Sequence, residues 1–329
     1  MSKIALSLIA AVFILFSGCE TNPPNSPDQN IRYGKVFVSA QVNGAAIYLN
    51  NVNTGKVTPD TVSAPVGNNT VTLMAAGYVT QSIQVFVSEG AVQSASFTLS
   101  PATSGKVVMM EEFSNVSCVP CVVTNKIIKS LFTYRYSTDQ LAIVKFPAYY
   151  PSPNDPMYLA AKQDCDSRLT YYTVSSTPTI RIDGTIRPTP SDSNAIIAAI
   201  EQQLALSAQI NVSAKDTIIN NTLKITVDVQ FADTAGINKA DLVLHTVVTE
   251  DEITYSNPPG SNGETAFYHV ARKMLPNFSG VSLTNTGTEI VTYQAETVIA
   301  QGWNPAKLSV VAFVQNKKTK QVYQAVVIH

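Results

Sequence analysis

The motif with the clearest chemistry is a pair of cysteines separated by two residues, Cys118-Val119-Pro120-Cys121. It follows an apolar run at residues 106–110 that predicts a buried strand, and it opens a run at residues 119–132 with helical periodicity. Unpaired backbone N–H groups and the positive end of a helix dipole favour thiolate over thiol at such a position. The spacing therefore predicts an exposed attacking thiol at Cys118 and a buried resolving thiol at Cys121.

Other roles for the cysteines stay open at this stage. A zinc site is one, but no second C-x-x-C occurs and all three histidines lie outside residues 105–208. We therefore expect no metal, and no cofactor, because the cysteine pair itself would carry the electrons. Cys165 could accept the disulfide, join two chains or simply lie buried in a helix.

Residues 105–208 alternate between strand and helix patterns in the order β-α-β-α-β-(β)-α, which predicts an open α/β sheet with helices on both faces. The strand, loop and C-x-P-C of residues 109–121 resemble the thioredoxins. Ser176-Thr177-Pro178 looks like the cis-proline segment of that family, and a plain trans turn is the alternative.

The thioredoxin resemblance also implies roles for individual residues. Glu112 would be a buried acid that relays protons to the resolving cysteine, with Lys145 beside it. Thr177 and Pro178 would frame an extended partner segment facing the cysteine pair. The alternative for Glu112 and Lys145 is an ordinary solvated pair at the end of two strands.

The N-terminus carries an export signal. Lys3 precedes an apolar run at residues 4–16 that is too short to span a bilayer comfortably. Leu15-Phe16-Ser17-Gly18-Cys19 resembles a bacterial lipobox, which implies cleavage before Cys19 and acylation of that residue, so that membrane lipid is a partner. An ordinary signal peptide is the alternative. The polar, proline-rich residues 20–32 are expected to form an extended tether.

Residues 33–100 consist of short alternating runs separated by turn signals such as Asn43-Gly44, which predicts a small all-β unit without chemistry. This stretch resembles a PEGA domain, and the resemblance implies a surface spacer or binding module. The residues that carry the resemblance are Gly44-Ala45-Ala46-Ile47-Tyr48-Leu49, Gly55 to Pro59, Pro65-Val66-Gly67 and Ala76-Gly77-Tyr78.

Residues 209–329 return to strand patterns and predict a second β-sandwich. His245 lies in one of these strands, where we expect a satisfied structural histidine. The predicted fold class is therefore multidomain α+β, with a PEGA-like β-sandwich, a central thioredoxin-like α/β domain and a C-terminal β-sandwich. The predicted divisions are a signal peptide at 1–18, a tether at 19–32, and domains at 33–100, 105–208 and 209–329.

Roughly residues 105–329, two-thirds of the chain, also resemble the Omp28-related outer membrane lipoproteins. The motifs that carry this likeness are Glu111 to Cys118, Tyr172 to Pro178, His269-Val270-Ala271-Arg272, Val310 to Asn316 and Val322 to Ala325. The resemblance implies a lipid-anchored protein of the bacterial cell envelope, in the outer membrane, and leaves its biochemical role open.

Composition and motifs together favour two functions. Hydrophobic residues make up 45% of the chain and charged residues 14%, and the net charge of −1 gives no reason to expect nucleic-acid binding. The first function is thiol–disulfide exchange through Cys118 and Cys121 with envelope proteins that carry disulfides. The second is a non-enzymatic binding or structural lipoprotein in which the cysteine pair is a fixed disulfide.

Overall fold

A computed structural model describes residues 32–50, 52–75, 78, 81–99, 105–231, 236–283 and 290–329 of the 329-residue chain. Of the described residues, 47% lie in strands and 17% in helices. The described residues are therefore mostly β, and their α-helices lie between residues 121 and 204, with two short 3-10 helices at Lys239–Asp241 and Pro305–Lys307.

The first seven strands form a two-sheet unit. In chain order they are β1 (Tyr33–Ala40), β2 (Ala46–Leu49), β3 (Val52–Val57), β4 (Asp60–Pro65), β5 (Gly67–Met74), β6 (Gln81–Val87) and β7 (Val92–Phe97). One sheet has the order β4-β1-β7 and the other β3-β2-β5-β6. Alternate residues such as Val36 and Val38 of β1 point inward, and both sheets contribute to one apolar core.

The helices lie in the next part of the chain. The elements are β8 (Val108–Ser114), α1 (Cys121–Tyr134), β9 (Leu141–Pro147), α2 (Pro156–Ala160), α3 (Lys162–Tyr172), β10 (Thr179–Ile182) and α4 (Ser193–Leu204). β8 pairs with β9 in parallel and with β10 antiparallel. Every residue of β8 and β9 is buried, as their continuous apolar runs predict for strands covered on both faces. The helix predicted near residues 119–132 is confirmed as α1.

The remaining strands are β11 (Ile210–Ile219), β12 (Thr222–Phe231), β13 (Leu242–Glu250), β14 (Ile253–Thr254), β15 (Ala266–Phe267), β16 (Val270–Leu275), β17 (Val281–Ser282), β18 (Val291–Val298), β19 (Leu308–Asn316) and β20 (Val322–Ile328). β11, β12 and β18 form a three-stranded antiparallel sheet, and β14 pairs with β15. The others join the helix-bearing strands in one eight-stranded sheet with the order β10-β8-β9-β16-β13-β19-β20, with β17 beside β13.

The predicted fold class is wrong. It required a separate thioredoxin-like α/β domain with its own sheet, followed by an independent β-sandwich. In the structure, β9 pairs in parallel with β16, at Lys145 and Val270, so strands from both sides of residue 209 share one sheet. The α/β pattern of residues 105–208 is therefore one end of a larger, mainly β assembly and not a self-contained unit.

The eight-stranded sheet is the middle layer of this assembly. Helices α2 and α3 cover one face along its length, where side chains such as Phe113, Leu169 and Phe313 form a common core. The opposite face is shared: α1 and α4 cover β8, β9 and β10, and the β11-β12-β18 sheet covers β13, β19 and β20. The sheet thus supplies the second layer for both the helices and the C-terminal strands.

Two buried ion pairs connect the helical part to the last two strands. Arg168 of α3 pairs with Glu111 of β8, and the Tyr172 hydroxyl donates to Glu111 Oε2 and accepts from Gln315 of β19. Lys106 lies 2.9 Å from Asp183 and donates to the carbonyl of Tyr323 in β20. Burying these charges costs free energy, so each pair must stay intact for the sheet to hold this arrangement.

We expect Arg168→Met to lower the free energy of unfolding by about 3–5 kcal/mol, because it leaves the Glu111 carboxylate buried without its partner. Urea denaturation followed by circular dichroism measures this loss. The control is Lys162→Met, which breaks the exposed pair between Lys162 and Asp166 and should cost less than about 1 kcal/mol. An equal loss of unfolding free energy in the two variants would contradict the conclusion that the sheet depends on the Arg168–Glu111 pair.

Candidate functional site

Cys118 and Cys121 are joined by a disulfide at the start of α1. Pro120 is the N-cap residue with a φ of −65°, and Cys121 is the first residue of the helix. The Cys121 backbone N–H donates a hydrogen bond to Cys118 Sγ over 3.2 Å. The predicted placement of the pair at a helix start is therefore confirmed.

The predicted exposure of Cys118 is wrong for the disulfide form. Cys118 is 3% exposed and Cys121 is fully buried. Val119, between them, is 67% exposed, so the motif reaches the surface through its spacer and not through its sulfurs. The pattern of the motif could not show this, because the burial of a side chain depends on tertiary packing that a local pattern does not specify.

The loop between β8 and the disulfide is held by two polar side chains. The Asn115 side-chain amide donates to the carbonyls of Ala148 and Ser152, and its oxygen accepts from the Ser117 N–H. Asp155, which caps the N-terminus of α2, also accepts the Val116 N–H over 2.9 Å. Burial raises the pKa of Asp155, and these backbone donors oppose that rise. The loop that presents Cys118 is thus fixed on both sides.

Glu112 and Lys145 form a buried pair on neighbouring strands. Glu112 is fully buried, Lys145 is 5% exposed, and Lys145 Nζ lies 3.0 Å from Glu112 Oε2. That contact is not aligned as a hydrogen bond, and neither carboxylate oxygen accepts one from any described residue. The alternative of a solvated pair is therefore wrong.

The Lys145 ammonium also contacts Asn125, a residue that the sequence did not single out. It donates to the side-chain oxygen of Asn125 in α1, and the Asn125 amide donates to both carboxylate oxygens of Glu264 over 2.9 and 2.7 Å. A chain of polar contacts thus runs from Glu112 to Glu264. A cavity of about 260 Å³, lined in part by Asn125, Lys145 and Glu264, adjoins these groups.

Residues 253–268, which we call the covering segment, lie over the loop that precedes the disulfide. The Asn262 N–H donates to the Val116 carbonyl and the Ser261 N–H to the Ser117 hydroxyl, both over 3.2 Å. A Cβ at Gly260 would stand 2.3 Å from the Val116 carbonyl oxygen, so only glycine fits there. The run of proline, glycine, serine and asparagine at residues 256–263 predicts a turn-rich loop, but not where it packs.

Apolar contacts and a hydrogen bond anchor the covering segment. Val116, Met157, Ile253, Phe267 and Val270 form a small core of their own. At the far end, Lys129 of α1 donates to the Tyr268 hydroxyl over 2.6 Å. The segment is therefore attached to α1 as well as to the loop before it.

Pro178 follows a cis peptide bond from Thr177, as the resemblance implied. The next residue, Thr179, starts β10 and pairs with Phe113 near the end of β8. Thr177 and Pro178 therefore lie at the same end of the sheet as the loop leading to Cys118. Their predicted role in framing a partner segment stays a prediction.

Of the two other cysteines, the structure describes Cys165 but not Cys19. Cys165 is fully buried in α3, within the core beneath the sheet, and burial raises the pKa of its thiol well above the usual value. The buried alternative is therefore confirmed, and Cys165 presents no reactive surface thiol. Cys19, together with the predicted signal peptide and nearly all of the tether, lies outside the described residues.

The described residues contain neither a candidate membrane-spanning helix nor a candidate metal site. None of the helices there combines the length and the apolar composition that a membrane crossing requires. Nor do those residues contain a group of three or more His, Cys, Asp or Glu side chains arranged to hold a metal ion.

Two protein families match the sequence. Residues 166–328 match the family described as outer membrane protein Omp28, and residues 33–103 match the PEGA domain. Residues 166–328 are thus similar to the Omp28 family and residues 33–103 to the PEGA domain, which supports both resemblances drawn from the residues. The matches give no support to a thioredoxin-like domain. No curated protein matches the chain.

Solved structures add similarity of fold. HBP35 of Porphyromonas gingivalis is 16% identical with a TM-score of 0.56, over 69% of this chain and 76% of that one. A protein from Agrobacterium tumefaciens is 11% identical with a TM-score of 0.46, over 68% and 94%. A domain of the outer membrane lipoprotein Omp28 from Porphyromonas gingivalis is 22% identical with a TM-score of 0.25, over 37% and 87%. At these identities only the fold similarity to HBP35 carries weight.

Proposed function

We propose that this envelope protein exchanges thiols and disulfides through Cys118 and Cys121. The observation that carries the proposal is the hydrogen bond from the Cys121 N–H to Cys118 Sγ at the first turn of α1. When the pair is reduced, the same N–H and the helix dipole favour a thiolate at Cys118. A thiolate is the form that attacks a disulfide.

The size of the disulfide ring also favours exchange over a purely structural bond. A disulfide stabilises a protein mainly by restricting the unfolded chain, and this effect grows with the length of the closed loop. Cys118 and Cys121 are three residues apart, which corresponds to about 2 kcal/mol on the chain-entropy model, against about 3 kcal/mol for a loop of 15 residues. Such a short ring is a weak way to stabilise a fold of this size.

The proposed reaction starts from the reduced pair and a partner disulfide. The Cys118 thiolate attacks one partner sulfur, which breaks the partner's S–S bond and releases its other sulfur as a thiolate. Cys121 then attacks Cys118 Sγ, its proton passing to Glu112, and the second partner thiolate leaves. The proton held by Glu112 passes to one partner thiolate, and the other partner thiolate takes up from solvent the proton that Cys118 lost when it ionised. The partner gains two electrons and the Cys118–Cys121 pair loses two, so no further cofactor is needed.

A second candidate function has its own support. Both sulfurs are buried, and the covering segment is hydrogen-bonded to Val116 and Ser117, immediately before Cys118. These hydrogen bonds restrict the loop that carries Cys118. On this alternative, the protein is a non-enzymatic binding or structural component of the envelope, and its disulfide stays closed.

An insulin-reduction assay with dithiothreitol distinguishes these functions. We expect the protein to accelerate insulin precipitation above the rate with dithiothreitol alone, and Cys118→Ser to abolish the acceleration because the attacking sulfur is missing. Cys165→Ala is the matched control and should keep the rate, since its thiol is buried away from the pair. After mild reduction near neutral pH, iodoacetamide should modify Cys118 before Cys121.

The opposite result supports a closed disulfide. In that case the wild-type protein would not exceed dithiothreitol alone, and iodoacetamide would label neither Cys118 nor Cys121 until the protein was unfolded.

We also propose that the chain is anchored in the outer membrane by lipid on Cys19. The support is the sequence Leu15-Phe16-Ser17-Gly18-Cys19 after a short apolar run, together with the match to an outer membrane protein family. Lipid attached at this residue would hold a body whose described helices are too short or too polar to cross the membrane.

Labelling cells with an alkyne fatty acid tests the anchor. We expect the wild-type protein to take up the label and to sediment with the outer membrane. Cys19→Ala should lose the label, whereas the control Cys165→Ala should keep it. Label that persists in Cys19→Ala, or that never appears in the wild type, contradicts the anchor and leaves the exchange proposal untouched.

A further inference from the structure

The Lys145 ammonium is held by a hydrogen bond to Asn125 and not by one to the acid beside it. Lys145 Nζ donates to Asn125 Oδ1, whereas its contact with Glu112 Oε2, at 3.0 Å, is not aligned as a hydrogen bond. A lysine side chain has several rotatable bonds, so a directed hydrogen bond decides where its ammonium rests. Asn125 therefore determines how close this positive charge stays to the Glu112 carboxylate.

The backbone around this contact is fixed, so only the end of the lysine side chain is free to move. Lys145 of β9 is the parallel partner of Glu112 in β8, and the Lys145 N–H donates to the His269 carbonyl over 2.8 Å. Asn125 lies one turn after Cys121 in α1, and residues four apart in a helix share a face. The Lys145 side chain thus extends from the sheet to the face of α1 that also carries Cys121.

Glu264 fixes the orientation of the Asn125 amide. The amide nitrogen donates to both Glu264 oxygens, over 2.9 and 2.7 Å, while the amide oxygen accepts from Lys145. If the amide were turned over, its N–H groups would face the ammonium and its oxygen would face the carboxylate, which both charges disfavour. Asn262 holds Glu264 in turn, because its side-chain amide donates to Glu264 Oε2 over 2.7 Å. The covering segment therefore keeps Asn125 in the orientation that binds Lys145.

We propose that Asn125 is a positioning residue for the exchange reaction, holding the Lys145 ammonium beside Glu112 so that Glu112 can accept the Cys121 proton. This inference rests on the proposed exchange function, and the proton moves in the step already given, as Cys121 attacks Cys118 Sγ and the second partner thiolate leaves. Asn125 itself exchanges no proton and acts through Lys145.

The consequence of losing Asn125 follows from the burial of Glu112. When the ammonium moves away, the buried carboxylate loses its compensating charge, and this favours the protonated acid. A protonated acid cannot take the Cys121 proton. Exchange without Asn125 would therefore need a higher pH.

Asn125→Leu tests the positioning without a partner protein. Asn125 is half-buried at the wall of a cavity, so leucine keeps the volume of the side chain and removes only the amide that binds Lys145. The carboxyl carbon of Glu112 is followed by ¹³C NMR through a pH titration of the disulfide form. We expect the midpoint to rise by about one pH unit, because part of the effect of a nearby opposite charge is lost.

Tyr268→Phe is the matched control for this titration. It removes the hydroxyl that accepts from Lys129 at the same cavity and should leave the Glu112 midpoint unchanged. Circular dichroism checks that both variants are folded. An unchanged Glu112 midpoint in folded Asn125→Leu would overturn the proposal.

The pH dependence of insulin reduction connects the positioning to the reaction. In Asn125→Leu, the midpoint of the rate above the dithiothreitol background should move to higher pH, while the rate at high pH stays that of the wild type. In a Lys145→Met background, Asn125→Leu should cause no further shift, because its effect needs the ammonium. A further shift in that background would identify Asn125 as a structural residue and overturn the proposal.

These measurements also separate the inference from the function on which it rests. An active wild type whose pH profile is the same as that of Asn125→Leu would overturn the positioning role alone. A wild type without exchange activity at every pH would contradict the exchange function, and the positioning role would fall with it, whatever the Glu112 titration showed.

Discussion

The structure depends on the point where β9 meets β16 in parallel. There Lys145 lies beside Val270, and the Lys145 N–H donates to the His269 carbonyl over 2.8 Å. This contact joins the helix-bearing strands to the C-terminal strands in one sheet. Because the covering segment leads directly into β16, the same contact brings residues 260–262 onto the loop before Cys118 and Glu264 within reach of Asn125. The environment of the disulfide is therefore built from both halves of the chain.

Buried charges fix the register of the strands at this junction. Glu111 and Glu112 are consecutive residues of β8 and point to opposite faces of the sheet, one toward Arg168 of α3 and the other toward Lys145 of β9. A shift of one residue in the register of β8 would separate both carboxylates from their partners, which a buried site does not tolerate. The strand that leads to the cysteine motif is thus held in a single register, and the motif is presented in one orientation.

Local features could be read from the sequence, whereas long-range pairing could not. The helix after Cys121, the cis bond before Pro178 and the closeness of Glu112 to Lys145 follow from short patterns and from the resemblances they carry. The pairing of β9 with β16 cannot be predicted from the sequence, because the hydrophobic pattern of a buried strand is the same whichever strand it pairs with. The burial of Cys118 was missed for the same reason, since burial depends on tertiary packing, and the residue before Cys118 is bonded to Ser261, about 140 residues further on.

The most direct test of the central claim is the reduction potential of the Cys118–Cys121 pair, measured in glutathione or dithiothreitol redox buffers and read by mass spectrometry after alkylation. A pair that exchanges disulfides should have a potential between about −270 and −120 mV, the range of known thiol–disulfide exchange proteins. A potential below about −300 mV, typical of structural disulfides in exported proteins, would contradict the claim and identify the bond as a fixed element of the fold.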